Sequence, residues 1–126
     1  MKFLYRVSDG SYRKERFPNA TKQHCLENFI SVFEPQTDEL VIYADNVRDI
    51  TYEWLQTYGY DVRRTMGGRS AGGFRIVFAD ALLLPPDEIV LFQEDDSLYL
   101  PNSRKILSEG RERADRVTLY LHGDRF

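Results

Sequence analysis

The chain has 126 residues, with 17 Lys and Arg against 20 Asp and Glu and a net charge of −3. That length bounds it to one domain over residues 1–126, and the charge argues against a protein that coats nucleic acid or an anionic membrane. At 42% hydrophobic and 29% charged residues the composition is globular, and no apolar run approaches the roughly 20 residues of a membrane span. The opening Met1-Lys2-Phe3-Leu4-Tyr5-Arg6 meets a charge too early for a secretory signal. A lone cysteine, Cys25, excludes an internal disulfide and points to the cytoplasm.

Along the chain, strand and helix patterns alternate. Residues 3–7 read as a strand, closed by the turn Ser8-Asp9-Gly10-Ser11. Asn19-Ala20-Thr21 caps a helix with Leu26, Phe29, Ile30 and Phe33 on one face, which Pro35 ends. Residues 40–44 form a continuous apolar run bounded by Asp45-Asn46, the mark of a buried parallel strand. A second helix carries Ile50, Trp54, Leu55 and Tyr58, with Gly59 placed to stop it. Residues 60–65 predict a third strand, and a glycine-rich loop over residues 67–73 leads into a helix with Phe74, Val77, Phe78, Ala81 and Leu82 inward. After Pro85-Pro86, residues 89–92 predict a fourth strand ending in Glu94-Asp95-Asp96. Asn102 caps a fourth helix reaching about Arg113, and residues 117–120 predict a fifth strand.

This rhythm predicts a single-domain, Rossmann-like α/β fold: an open, mostly parallel sheet with helices on both faces. Ligands bind such sheets beyond the carboxyl ends of the strands. That directs attention to Ser8-Asp9, Asp45-Asn46, the glycine-rich loop, Glu94-Asp95-Asp96 and His122-Gly123-Asp124.

Three adjacent carboxylates repel, and a hard divalent ion such as magnesium or manganese would relieve them. Strand alternation would put Glu94 and Asp96 on one side with Asp95 opposite; a solvated acidic turn is the other reading. The stretch Gly67-Gly68-Arg69-Ser70-Ala71-Gly72-Gly73 lacks the lysine of a nucleoside-triphosphate loop. It offers mobile backbone and a helix start with Arg69 and Arg75 nearby, suited to an anion. Residues 62–79 hold four arginines and no acid, while residues 85–100 hold five acids and no base. That is the pairing a metal-bound diphosphate needs, and equally what two solvated patches look like. Asp45-Asn46 and Ser8-Asp9 are explained by ordinary turn chemistry, with base recognition as the other reading. His122 is a metal or proton-shuttle candidate. His24 and Cys25 complete no zinc pattern.

Six stretches, taken in order, carry a resemblance: Arg6-Val7-Ser8-Asp9-Gly10-Ser11-Tyr12, Asn19-Ala20-Thr21-Lys22, Ala44-Asp45-Asn46, Ser70-Ala71-Gly72-Gly73-Phe74-Arg75, Asp87-Glu88-Ile89-Val90-Leu91-Phe92-Gln93-Glu94-Asp95-Asp96 and Ala114-Asp115-Arg116-Val117-Thr118-Leu119-Tyr120. The chain resembles the small GT-A-type glycosyltransferases of large algal viruses, phages and some bacteria, whose virion-associated members modify capsid glycans. The resemblance implies a nucleotide-sugar donor, usually a uridine diphosphate sugar, an acceptor hydroxyl on a glycan or other molecule, and manganese or magnesium. It implies Asp96 as direct metal ligand, with Glu94 or Asp95 at the ribose or a metal-bound water. Asp45 would read the uracil edge, with Arg6, Ser8 and Asp9 around the nucleoside. Gly72 and Arg75 would face the diphosphate or the acidic cluster, Asp96 and Arg75 would assist departure of the leaving group, and His122 would add a metal or phosphate contact. A viral origin would place the protein in the host-cell cytoplasm, and the sequence allows a homodimer. A domain that binds the nucleotide-sugar without turnover is the alternative, and a metal-dependent phosphodiester domain acting on nucleic acid ranks last.

Overall fold

The computed structural model describes residues 1–9, 20–68 and 70–119. The elements are β1 (Lys2–Ser8), α1 (Lys22–Phe33), β2 (Leu40–Asp45), α2 (Asp49–Gln56), β3 (Asp61–Thr65), α3 (Ser70–Ala81), β4 (Val90–Glu94) and α4 (Ser103–Arg111). The four strands form one sheet in the order β3-β2-β1-β4. Every pairing is parallel, with Arg6 beside Tyr43 and Glu94 and Ser8 beside Asp45. The expected α/β architecture, an open parallel sheet with helices on both faces, is what forms. None of the described helices is long and apolar enough to cross a membrane.

β1 and β2 read as near-continuous apolar runs because both of their faces are covered. On one face Phe3, Tyr5, Val7, Leu40, Ile42 and Ala44 meet Leu26, Phe29 and Phe33 of α1, Leu55 of α2 and Leu107 of α4. Phe29 stacks on Phe33 at 4.8 Å and meets Tyr5 at 5.1 Å and Phe3 at 5.6 Å. Burying each such ring contributes about 1.5–3 kcal/mol. On the other face Leu4, Val41 and Tyr43 meet Val77 of α3.

Local signals set the helix ends. Thr21 caps α1, its hydroxyl accepting from the His24 amide at 3.1 Å. Glu34 closes that helix in the left-handed conformation at φ 45°, just before Pro35. Gly59, at φ +80°, supplies the left-handed turn after α2 that a side chain would strain.

The structure departs from expectation in several places. β2 runs one residue further, so Asp45 belongs to the strand rather than to the loop. α3 starts at Ser70, which puts Gly72 and Gly73 inside the helix. Phe78, 49% exposed, packs one side of its ring on Phe92 of β4 at 4.6 Å, whereas Leu82, 85% exposed, falls in the turn after α3. Asn102 precedes α4 without a side-chain capping bond, and that helix stops at Arg111.

Residues 117–119 are not a strand, and Tyr120 lies outside the described residues. Connectivity disfavours a parallel strand here. α1 and α2 carry the chain one way along the sheet on one face, and α3 carries it back on the other. α4 lies with α1, so a parallel strand beyond β4 would demand a left-handed crossover, which sheets almost never use.

Candidate functional site

A single arginine in an otherwise apolar strand must find a carboxylate, because an unpaired buried charge is costly. Arg6 is 7% exposed, and Asp45, from the neighbouring strand, is 1% exposed. Arg6 Nε and Nη2 donate to Asp45 Oδ2 at 3.0 and 2.8 Å. Asp45 Oδ1 accepts from Thr65 Oγ1 at 3.0 Å and from the Gly67 amide at 2.7 Å. One carboxylate thus ties together the carboxyl ends of β1, β2 and β3 and fixes the turn after β3. On its other side Arg6 Nη1 donates to Glu94 Oε1 at 3.0 Å, and the Glu94 side chain is 32% exposed. Arg6 therefore bridges a sealed acid and an open one, at the β1–β4 junction where the strand order reverses.

The glycines are explained by close approach. A Cβ on Gly73 would collide with Arg6 Nε and Asp45 Oδ2, and one on Gly72 would collide with the Gly67 carbonyl oxygen. α3 sits directly on the Arg6–Asp45 pair because it presents backbone alone at that point. Gly68 is different, with open space around it and a φ of +76°.

The acidic stretch divides. β4 ends at Glu94, and Asp95 and Asp96 form a turn, so strand alternation does not extend to Asp96. Glu94 faces Arg6. Asp95, 7% exposed, accepts from the Ser8 amide through Oδ2 at 3.2 Å, which ties the end of β1 to the turn. Asp96 is half-buried, and Ser97 Oγ donates to its Oδ1 at 3.4 Å. Beneath the turn lies Tyr5, 0% exposed, with a hydroxyl that has no hydrogen-bond partner among the described residues. Burial, then the charge of Asp95, pushes that phenol far above its ordinary range. Tyr99 is raised too, by burial and then by Asp96, and its hydroxyl donates to Gln93 Oε1.

Asp9 is bound by two helix starts. Its Oδ2 accepts from the Arg48 amide at 2.9 Å and Thr51 Oγ1 at 2.8 Å, and its Oδ1 from Lys22 Nζ at 2.9 Å. One side chain thereby fastens the starts of α1 and α2. Burial pushes this carboxyl up, but the Arg48 amide, Lys22 and Thr51 outweigh it and hold the group below its ordinary value.

The structure brings Arg6, Ser8, Asp45, Glu94, Asp95 and the glycine turn into one neighbourhood, and leaves Arg75 out of it. Arg75 is exposed, two residues along the helix from both buried Gly73 and buried Val77, and so on the opposite face. Among the described residues, Arg6 is an arginine that meets the acidic stretch, at Glu94. His122 and Arg69 lie outside the described residues. Sequence reasoning missed Thr65 and Tyr5. The one available signal was the charge at position 6 between Tyr5 and Val7.

Magnesium and manganese need only one or two protein carboxylates when a diphosphate supplies further oxygens. Asp96 and Glu94 fit that requirement, whereas Asp95 is turned to the Ser8 amide. No group of three or more His, Cys, Asp or Glu able to hold a metal occurs among the described residues, so a cage made wholly of them does not fit. Cavities of about 650 and 620 Å³ flank the outer edge of β4, lined by Leu91, Phe92 and Val117 among others, and neither is lined by Arg6, Asp45 or Glu94. The charged junction is the better candidate because its polar groups converge. Comparison with protein-family models, curated proteins and solved structures gives no match.

Proposed function

We propose that the chain binds a nucleotide-sugar, a uridine diphosphate sugar being the first choice, and transfers the sugar to an acceptor hydroxyl. The observation that carries this reading is the convergence of Arg6, Glu94 and the Asp95-Asp96 turn near the carboxyl ends of parallel strands, at the sheet's switch point. Such crevices receive nucleotides, and a diphosphate needs both positive charge and a metal-binding carboxylate.

In this reading Asp96 would hold manganese or magnesium, with Glu94 as a second carboxylate available to it. The bound ion would supply Lewis-acid stabilisation of the departing diphosphate. Arg6 contributes fixed positive charge beside the acids, and such a preorganised charge works best where water is thinned. Asp45 sets the direction of that charge and holds the Gly67 turn. Asp95 fastens the turn to β1, which keeps Asp96 at a constant height over the sheet. The acceptor hydroxyl attacks the anomeric carbon and forms the new glycosidic bond as the bond to the diphosphate oxygen breaks. The hydroxyl proton leaves to solvent or to a base on the acceptor side.

The test is a thermal-shift panel of nucleotide-sugars with and without manganese. A donor that stabilises the protein only with metal, and releases nucleoside diphosphate on incubation, fits the proposal. Stabilisation without release supports a binding domain instead. No shift with any donor ends the proposal.

A further inference from the structure

The two acids on Arg6 are not equivalent. Asp45 is sealed at 1% exposure beneath Gly73, and its oxygens receive four donors from the protein. Glu94 is attached to Arg6 through one contact of 3.0 Å, and a third of its side chain is open to solvent. Of the two acids, only Glu94 reaches solvent, so it is the one that can leave the guanidinium without stranding a buried carboxylate. A guanidinium has five N–H groups; on Arg6 three of them are engaged, two by Asp45 and one by Glu94. The Nη1 edge is therefore an anion-binding edge with a removable carboxylate on it.

We propose that Glu94 is a built-in stand-in for a ligand anion: in the empty protein it occupies the Nη1 edge of Arg6, and a phosphate oxygen of the incoming ligand displaces it. This rests on the nucleotide-sugar reading only in naming the anion as a diphosphate. Glu94 then has two stations, on Arg6 before binding and released into the crevice after it. An internal competitor lowers apparent affinity by the fraction of molecules in which it is displaced. The Asp45 side of the guanidinium stays in place throughout, so the charge is aimed before the ligand arrives.

The proposal predicts a gain where a metal-ligand role alone predicts a loss. Binding of inorganic pyrophosphate is measured by calorimetry in the presence of EDTA, for the wild type and for Glu94→Gln. The variant is expected to bind about fivefold tighter or better. Asp96→Asn removes the same charge without touching Arg6 and is expected to gain much less. Adding Arg6→Lys to Glu94→Gln is expected to abolish the gain, because lysine held by Asp45 lacks the second edge. An unchanged or weaker affinity for Glu94→Gln overturns the proposal, as does an equal gain from Asp96→Asn, which would mean bulk charge alone. A parallel arm with uridine diphosphate sugar and manganese separates the two readings. If that donor stabilises the wild type while Glu94→Gln shows no gain for pyrophosphate, the stand-in fails and the donor reading stands. If pyrophosphate behaves as expected but no donor binds, the anion edge stands and the donor reading fails.

Discussion

Gly73 and Asp45 touch across the α3–sheet interface with no space between them for a methyl group. Helix and ion pair are therefore mutually dependent: the helix can dock only as bare backbone, and docking is what seals the carboxylate. Gly73→Ala is expected to destabilise the protein by about 1–3 kcal/mol, because neither the guanidinium nor the strand can retreat. Urea unfolding would show this as a lower midpoint with an unchanged slope. An alanine at Gly73 with wild-type stability would mean that α3 does not sit where the structure has it.

Removing Asp45 leaves a buried guanidinium with its main partner gone and the Gly67 amide unbonded. Asp45→Ala should cost about 3–5 kcal/mol. Arg75→Ala, by contrast, changes an exposed side chain on the outer face of α3 and should stay within about 0.5 kcal/mol. The same pair of variants, measured by urea unfolding, distinguishes the arginine built into the site from the one merely near it in sequence.

Tyr5 carries a buried hydroxyl with no hydrogen-bond partner among the described residues, and such groups cost about 1–3 kcal/mol. Tyr5→Phe is accordingly expected to be neutral or stabilising, which is unusual for a fully buried position. It should also change the alkaline limb. A phenol held above its ordinary value of 10.0 contributes stability that is intact below that pH and is lost as pH rises beyond it. The phenylalanine variant should lose less stability above pH 10.0 than the wild type. Thermal melts across that range would reveal the difference.

Asp9 titrates in the opposite direction. A carboxyl held below its ordinary value of 3.8 adds stability above that pH, and this is lost as pH falls through the lowered value. Asp9→Asn should be less stable than the wild type at neutral pH, with the gap closing as pH drops below 3.8. A gap that persists in strong acid would assign the effect to lost hydrogen bonds to Arg48 and Thr51 rather than to charge.

Much of the fold could be read from the sequence because its signals are local. The run Leu40-Val41-Ile42-Tyr43-Ala44 and the stripe Leu26, Phe29, Phe33 each declare their element within a dozen residues. The strand expected over residues 117–120 is absent from the described part, 117–119, because β-forming residues say nothing of which face α4 takes. The site was half legible. Strand ends pointed to Asp45 and the Glu94-Asp95-Asp96 stretch. That Arg6, 39 residues before Asp45 and 88 before Glu94, would join them is a long-range fact that only the pairing of β1 with β2 and β4 creates. The glycine-rich stretch looked like a mobile anion loop because glycine signals freedom and close contact alike, and Gly72 and Gly73 are here for contact.

Alternation along β1 puts Tyr5 and Val7 under α1 and Arg6 against Asp45. A slip of one residue in the pairing of β1 would exchange these faces, driving the guanidinium into the aromatic core and setting Tyr5 or Val7 before the carboxylate. The ion pair thus acts as a proofreading mark on the assembly of the sheet. A molecule that has mispaired its strands cannot form the pair, so an intact Arg6–Asp45 contact is a readout of correct threading.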